Sequence, residues 1–168
     1  MNTIKILPFE MNYLDEYYRE FSTEITRYQW PDSFESIEDA RELLQSFMDE
    51  MERGETILLA VLSEEGSFLG SAEVHGLTGD CPEVGVWIKQ SEWNKGYAYV
   101  ALNEALRCAR SQYGKTEFFY EADVRNIGSM KLLRKFEKDY EIIDKELERL
   151  TTDSGKYLEL QGFVLKAR

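Results

Sequence analysis

A short polar turn with a single glycine stands between two apolar stretches near the middle of the chain, and it could bind an anion. The turn is Trp93-Asn-Lys-Gly-Tyr-Ala98; the stretch before it, Glu83-Val-Gly-Val-Trp-Ile88, is typical of a strand, and the one after it of a long amphipathic helix. The first N–H groups of a helix have no internal partners, and the aligned peptide dipoles add partial positive charge there. A phosphate is therefore a natural ligand at this turn, and Gly96, which has no Cβ, would let it approach the main chain.

Two glutamates and the only histidine lie just before this turn and could move protons. Glu83 opens the apolar stretch, while Glu73 and His75 alternate in Ser71-Ala-Glu-Val-His75, so both would point to the same side of a strand. A carboxylate is an effective general base when burial raises its pKa toward the working pH, and histidine titrates near neutrality without help. Each residue could equally be an ion-paired or solvent-exposed group at a strand end.

The turn and its strand resemble the GNAT superfamily of N-acetyltransferases, in which a turn of the pattern Gln/Arg-x-x-Gly-x-Gly/Ala binds pyrophosphate. Trp93 stands here at the Gln/Arg position. Together with Glu24-Ile-Thr-Arg-Tyr-Gln-Trp-Pro31 and Asn126-Ile-Gly-Ser129, the turn is most similar to the RimJ/RimL-like branch, the ribosomal-protein N-terminal acetyltransferases. The resemblance extends over nearly the whole chain and implies a single N-acetyltransferase domain, residues 1–168.

The resemblance implies acetyl-CoA as co-substrate, no metal, and direct transfer of the acetyl group to a primary amine in a ternary complex. Main-chain amides of the turn would bind the pyrophosphate, and the pantetheine arm would lie in a gap between two splayed strands. The cofactor-binding residues implied are Val86, Trp87, Ile88, Asn94, Lys95, Gly96, Tyr97, Ala98, Asn126 and Ser129. Asn126 could instead cap a helix, with Ser129 in its first turn.

The resemblance also implies catalytic roles. Glu83 matches the general base of several members, with Glu73 and His75 as rivals, and the oxyanion donor would be a main-chain N–H near Ile88. Leu133 stands where many members have a tyrosine that protonates the departing thiolate. Ser129 could donate the proton instead, or the thiolate could leave without full protonation. The missing tyrosine keeps open an alternative, a noncatalytic acyl-CoA-binding or regulatory module.

Smaller features of the sequence add two further expectations. Gly85 inside the strand indicates a bulge or a close approach of another backbone, either of which would help to open the gap. The aromatic residues Tyr13, Tyr17, Tyr28 and Trp30 could wall the acceptor pocket by analogy with the family, although such residues more often belong to a core.

Composition bounds the class of protein. The chain has 168 residues, of which 43% are hydrophobic, as expected of one domain with a sizeable core. A net charge of −12 argues against nucleic acid or an anionic membrane as partner and favours an amine, either a small cationic molecule or a protein N-terminus. Cys81 and Cys108 lack metal or disulfide spacing, and no apolar leader is visible, so we expect a cytoplasmic monomer or homodimer.

The patterns of the chain predict an α/β (α+β) fold with a mixed, mostly antiparallel central sheet and helices on both faces. The predicted strands cover residues 3–7, 56–62, 68–74, 83–88 and 117–124 and a terminal hairpin of 140–151 and 156–166. The predicted helices cover residues 11–21, 36–54, 97–113 and 129–136.

Overall fold

A computed structural model describes residues 3–168, which form one seven-stranded sheet flanked by five α-helices. The strands are β1 (Ile4–Pro8), β2 (Thr56–Ser63), β3 (Phe68–His75), β4 (Glu83–Ile88), β5 (Glu117–Asp123), β6 (Tyr140–Thr151) and β7 (Tyr157–Ala167). The helices are α1 (Leu14–Glu20), α2 (Thr23–Thr26), α3 (Ile37–Glu52), α4 (Tyr97–Tyr113) and α5 (Ile127–Arg134). None of these helices is both long and apolar enough to cross a membrane.

The strands are ordered β1-β2-β3-β4-β5-β7-β6, and every neighbouring pair is antiparallel except β4 and β5. This parallel pair is connected through α4, because parallel strands need a crossover. It is joined at a single position, Glu83 opposite Phe119, where the Phe119 N–H donates to the Pro82 carbonyl at 2.9 Å. Beyond Glu83 the two strands separate, which confirms the predicted mixed sheet with a splayed pair.

The alternation of side chains along the strands creates an apolar core on each face of the sheet. One core, covered by α1 and α3, contains Tyr17, Leu44 and Trp87. The other, covered by α4 and α5, contains Leu106 and Leu133. Helices therefore cover both faces, as predicted from the sequence.

Local signals in the sequence explain where the long helices begin and end. The Ser36 hydroxyl accepts the Asp39 N–H at 3.2 Å and caps α3, as the sequence predicts. Helix α4 lies between two glycines, Gly96 and Gly114, with φ of 83° and 67°, a left-handed conformation that costs glycine little.

Two helix predictions need correction. The predicted helix over residues 11–21 is a 3₁₀ turn followed by the shorter α1, and α2, which was not predicted, begins after Ser22 in an extended conformation. Helix α5 begins at Ile127 rather than Ser129, because the Asn126 side chain accepts the Ser129 N–H at 3.1 Å and so caps the helix earlier.

Candidate active site

The gap between β4 and β5 exposes one main-chain edge of β4. The segment Val86–Ile88 pairs with β3 on one side and has no strand partner on the other. Such an edge offers main-chain donors and acceptors to an extended ligand. The Trp87 side chain does not line this edge, since it is buried on the α1 face with its ring centroid 5.0 Å from that of Tyr17. Of Trp87, only the main chain is available there.

The turn between β4 and α4 has the geometry of an anion site. Asn94 and Gly96 both have positive φ, 65° and 83°, and such left-handed residues next to a helix start make successive N–H groups converge. A Cβ on Gly96 would meet nothing within 4 Å, so the space in front of the turn is open. Left-handed residues, open space and a helix N-terminus are features of main-chain anion sites.

Trp93 has a role that sequence reasoning missed. Its indole Nε1 donates to the Ile88 carbonyl at 2.6 Å, which ties the turn to the end of β4. The sequence offers only a weak signal for this contact, an aromatic donor five residues after a strand end. The same turn carries an exposed ion pair, Lys95 to Glu92 at 2.6 Å.

The start of α5 fixes Asn126 and Ser129 through their main-chain and capping groups. The Asn126 carboxamide oxygen is engaged in the helix cap, and the Ser129 carbonyl accepts the Tyr120 hydroxyl at 2.7 Å. Among the residues described, the Ser129 hydroxyl takes part in no hydrogen bond. Leu133 is completely buried between α5 and the sheet, so the position of the family's tyrosine belongs to the core in this chain. Tyr120, which sequence reasoning did not single out, anchors the first turn of α5 to β5.

Three of the sequence-predicted residues come together on the α1 face, beside the start of the gap. In the β3–β4 register, His75 lies opposite Glu83 and Glu73 lies opposite Gly85. Glu121 of β5 joins them, because Phe119 pairs with Glu83 and side chains two residues apart share a face. Carboxylates from three strands thus surround the point where β4 and β5 part.

The environment of this cluster changes how its carboxylates titrate. Burial raises the pKa of Glu83; His75 opposes this shift and Glu73 adds to it. Burial likewise raises the pKa of Glu121, with further contributions from Glu83 and Glu148. In residues 3–168 neither Glu83 nor Glu121 forms an ion pair with a lysine or arginine. A raised pKa brings Glu83 closer to the range in which a general base works.

His75 is surrounded by acceptors. Its Nε2 lies 3.5 Å from a Glu73 carboxylate oxygen, and its Nδ1 lies 3.3 Å from the Thr56 hydroxyl, which itself donates to Glu50 at 2.7 Å. Burial alone would lower the pKa of His75, but the carboxylates of Glu73, Glu50 and Glu83 outweigh it and raise that pKa.

The explanation predicted for Gly85 is wrong in detail. The β3–β4 register runs through Gly85 without a bulge, and no other backbone crosses it. The close neighbour is a side chain: a Cβ on Gly85 would lie 3.1 Å from a carboxylate oxygen of Glu73. Gly85 therefore leaves room for Glu73 to lie over the main chain of β4.

The four aromatic residues near the N-terminus divide between core and surface. Tyr17 and Tyr13 pack against Phe68, with ring centroids 5.9 and 5.8 Å away, and belong to the α1-side core and its edge. Tyr28 stacks under the Arg125 guanidinium at 5.1 Å, and Trp30 is 69% exposed. Trp30 is the most exposed of the four, whereas Tyr13 and Tyr28 are partly buried and Tyr17 is buried.

Lys156, in the turn between β6 and β7, fixes the segment that contains Tyr28 and Trp30. Its ammonium group donates to the carbonyls of Thr26 and Gln29 at 2.8 and 2.6 Å and pairs with Asp32 at 2.6 Å. The Lys156 side chain is only 18% exposed. The terminal hairpin therefore holds the α2–α3 segment in place.

A comparison with known protein families identifies the family of this chain. Residues 4–137 match the model of the acetyltransferase (GNAT) domain. The chain belongs to the GNAT family. A comparison with curated protein sequences finds no match.

Solved structures with similar folds include three acetyltransferases. A spermidine N-acetyltransferase from Vibrio cholerae in complex with CoA and spermine has a TM-score of 0.80 and 15% sequence identity, and the match covers 97% of this chain and 95% of that one. RimJ of Mycobacterium smegmatis in complex with CoA-disulfide has a TM-score of 0.83 and 14% identity, with coverage of 99% and 83%. An acetyltransferase from Salmonella typhimurium that modifies the N-terminal serine of a 50S ribosomal subunit protein has a TM-score of 0.79 and 14% identity, with coverage of 100% and 97%. The ribosomal-protein acetyltransferases that the motifs resemble are thus among the structural neighbours of this GNAT domain.

Proposed function

We propose that this GNAT protein is an acetyl-CoA-dependent N-acetyltransferase that moves an acetyl group directly to a primary amine, with Glu83 as the general base. The observation that carries the proposal is the gap between β4 and β5. It has an open turn with two left-handed residues at one end and a carboxylate with a raised pKa at the other.

The unpaired edge of β4 and the converging amides of the turn fit acetyl-CoA, which would supply the activated acetyl group. Val86, Trp87 and Ile88 would bind the pantetheine arm through the main chain, and the amides from Asn94 to Ala98 would bind the pyrophosphate. Asn126 and Ser129 would lie beside the sulfur end. This fit rests on the strand edge and on two left-handed residues in the turn.

Glu83 would act by taking a proton from the acceptor amine, because only the neutral amine has a lone pair to give. A lysine-type amine has a pKa of ~10.4 and is almost wholly protonated at neutral pH, whereas an α-amino group, at ~7.7–8.0, is partly neutral. The base therefore matters most for the more basic acceptors. Ser129 lines the sulfur end, where a thiol of pKa ~8.5 can leave as the thiolate with little assistance.

The acceptor is a small cationic amine or a protein N-terminus. Two of the structural neighbours act on these classes, one on spermidine and one on a ribosomal protein N-terminus. The net charge of −12 and the carboxylates around the gap favour a positively charged acceptor. Free Cys81 and Cys108 are consistent with a reducing cytoplasm as the site of action.

The second candidate is a noncatalytic acyl-CoA-binding module, favoured by the complete burial of Leu133 at the tyrosine position. Two measurements separate the candidates. Calorimetry with CoA tests the cofactor site, and a thiol-release assay with acetyl-CoA against a panel of amines, including spermidine and a peptide with a free N-terminus, tests transfer. An enzyme should release thiol only when amine is present. Tight CoA binding with no amine-dependent release would favour the noncatalytic module.

A further inference from the structure

Two of the carboxylates in the cluster beside the gap, Glu73 and Glu83, have different surroundings. Glu83 stands at the last paired position of β4 and β5, and Glu73 stands one step further along the face, over Gly85. Gly85 is the first residue on this face after the strands part. Glu73 therefore lies over β4 at the first position on this face beyond the pairing with β5.

The space left by the missing side chain at Gly85 is bordered by the side chain of Glu73. A Cβ at Gly85 would lie 3.1 Å from a carboxylate oxygen of Glu73 and 3.4 and 3.7 Å from the next two carbons of that side chain. Only the 3.1 Å contact is tighter than an ordinary van der Waals contact, so the Glu73 carboxylate would have to shift by a few tenths of an ångström. The glycine thus permits a specific position of Glu73 over β4.

His75 contacts Glu73 from within β3 and lies among groups that accept hydrogen bonds. The single hydroxyl hydrogen of Thr56 is donated to Glu50, so Thr56 accepts from His75 Nδ1, and Nε2 faces the Glu73 carboxylate, which also accepts. The charged groups that face His75 are Glu50 from α3, Glu73 from β3 and Glu83 from β4, and all three favour the imidazolium.

Unsatisfied polar groups lie at the next step along the same face. Ser71 pairs in register with Trp87, and both the Ser71 hydroxyl and the Trp87 indole N–H are buried without a hydrogen-bond partner. Ser71 is 1% exposed and Trp87 8%. The Tyr17 hydroxyl is close by, since burial raises the pKa of Tyr17, the Glu73 carboxylate adds to that shift, and Trp87 and Ser71 oppose it. This buried polar row, which includes the Tyr17 hydroxyl, continues the same face of the sheet beyond Glu73.

We propose that Glu73 binds the protonated amine of the acceptor beside Gly85, that His75 positions Glu73 for this role, and that Glu83 then takes the proton. The inference rests on the proposed function. It assigns the two carboxylates different tasks: Glu73 contributes to acceptor binding, and Glu83 to the chemical step. His75 is a positioning residue, because it acts only through Glu73.

Steady-state kinetics with acetyl-CoA and spermidine or a peptide with a free N-terminus, whichever the protein acetylates, tests the division of tasks. Glu73→Gln should raise KM for the amine by about 10-fold or more with a smaller change in kcat, because a charge-assisted hydrogen bond is lost. Glu83→Gln should mainly lower kcat. Calorimetric titration of the same amine into the CoA complex should show weaker binding for Glu73→Gln alone. An unchanged KM for Glu73→Gln, or a loss confined to kcat, would overturn the inference.

A double-mutant cycle tests the role of Gly85, and a pair of His75 variants tests positioning. Gly85→Ala should raise KM in the wild type but add nothing in a Glu73→Ala background, since the added Cβ meets only Glu73. His75→Ala should raise KM, and His75→Gln, which retains a side-chain donor, should restore part of the affinity. Additive effects of Gly85→Ala and Glu73→Ala would contradict the proposed geometry.

If the protein binds CoA but acetylates neither amine, the proposed function itself fails. If it transfers the acetyl group and Glu73→Gln has an unaltered KM for the amine, only this inference is rejected.

Discussion

At the scale of single residues, Glu83 combines an accessible position with surroundings that raise its pKa. We expect Glu83→Gln to retain CoA affinity and to lower turnover by ~10²-fold or more, the size typical of a lost general base. The loss should shrink as the pH rises, because the acceptor then deprotonates unaided. The pH profile of kcat with a lysine-type amine measures this. Glu65→Gln, on an exposed turn, is the matched control and should behave like the wild type.

Although Glu83→Gln should lower turnover, we expect it to stabilise the folded state. Because burial raises the pKa of Glu83, the folded state binds its proton more tightly than the unfolded chain does, so the ionised form opposes folding at neutral pH. Glu83→Gln should therefore increase the free energy of unfolding at pH 7. The difference should vanish below about pH 3, where both states of the wild type are protonated. Urea denaturation at the two pH values checks the sign, and a destabilised variant at pH 7 would refute it.

Ser129 gives a third expectation at this scale. Its main chain is held by Asn126 and Tyr120, while its hydroxyl has no partner among the described residues. If the thiolate leaves largely unassisted, Ser129→Ala should change kcat by only a few-fold. A general acid would contribute ~10²–10⁴-fold, so a loss of that size at unchanged CoA affinity would identify Ser129 as the acid.

At the scale of elements, the turn before α4 is the feature whose removal should abolish cofactor binding. Gly96→Glu places a side chain and a negative charge in front of the converging amides, and calorimetry should detect no CoA binding. Gly114→Glu at the other end of α4 is the matched control, since Gly114 also has positive φ and open space around its Cβ position. The control should retain CoA affinity despite similar backbone strain. Equal loss in both variants would indicate damage to α4 rather than to the turn.

Elements with strong local signals were predictable from the sequence. Alternation and turn residues gave the seven strands to within about one or two residues, and capping residues gave the ends of α3 and α4. The region before α3 was less predictable, because the apolar spacing of residues 11–21 continues through Phe21 although the backbone there leaves the helix. Contacts between side chains and residues distant from them in the sheet could not be predicted from the sequence. Neither the contact of Glu73 with Gly85 nor the bond of Trp93 to Ile88 has a signature in local spacing.

At the scale of the whole molecule, the gap divides the sheet into two parts joined through few hydrogen bonds. A ligand that fills the gap would bond to the edge of β4 and bridge these parts. We expect CoA to raise the melting temperature, by an amount equivalent to about 2.7 kcal/mol at a hundredfold excess over Kd. Hydrogen exchange should slow at Val86–Ile88 when CoA is bound. Gly96→Glu should show neither change, and a shift that persists in this variant would place the CoA site elsewhere.

The position of β7 in the sheet has a consequence for how the protein is made. Every residue of β5 from Glu117 to Asp123 pairs with β7, whereas β5 meets β4 at only one position. The strands β1 to β4 pair with one another in chain order, so they can assemble as they emerge from the ribosome. Strand β5, which forms the far side of the gap, cannot assemble in this way. It has almost no strand partner until residues 157–167 have been synthesised. We therefore expect a nascent chain that lacks these residues to bind no cofactor, although it already contains the complete turn.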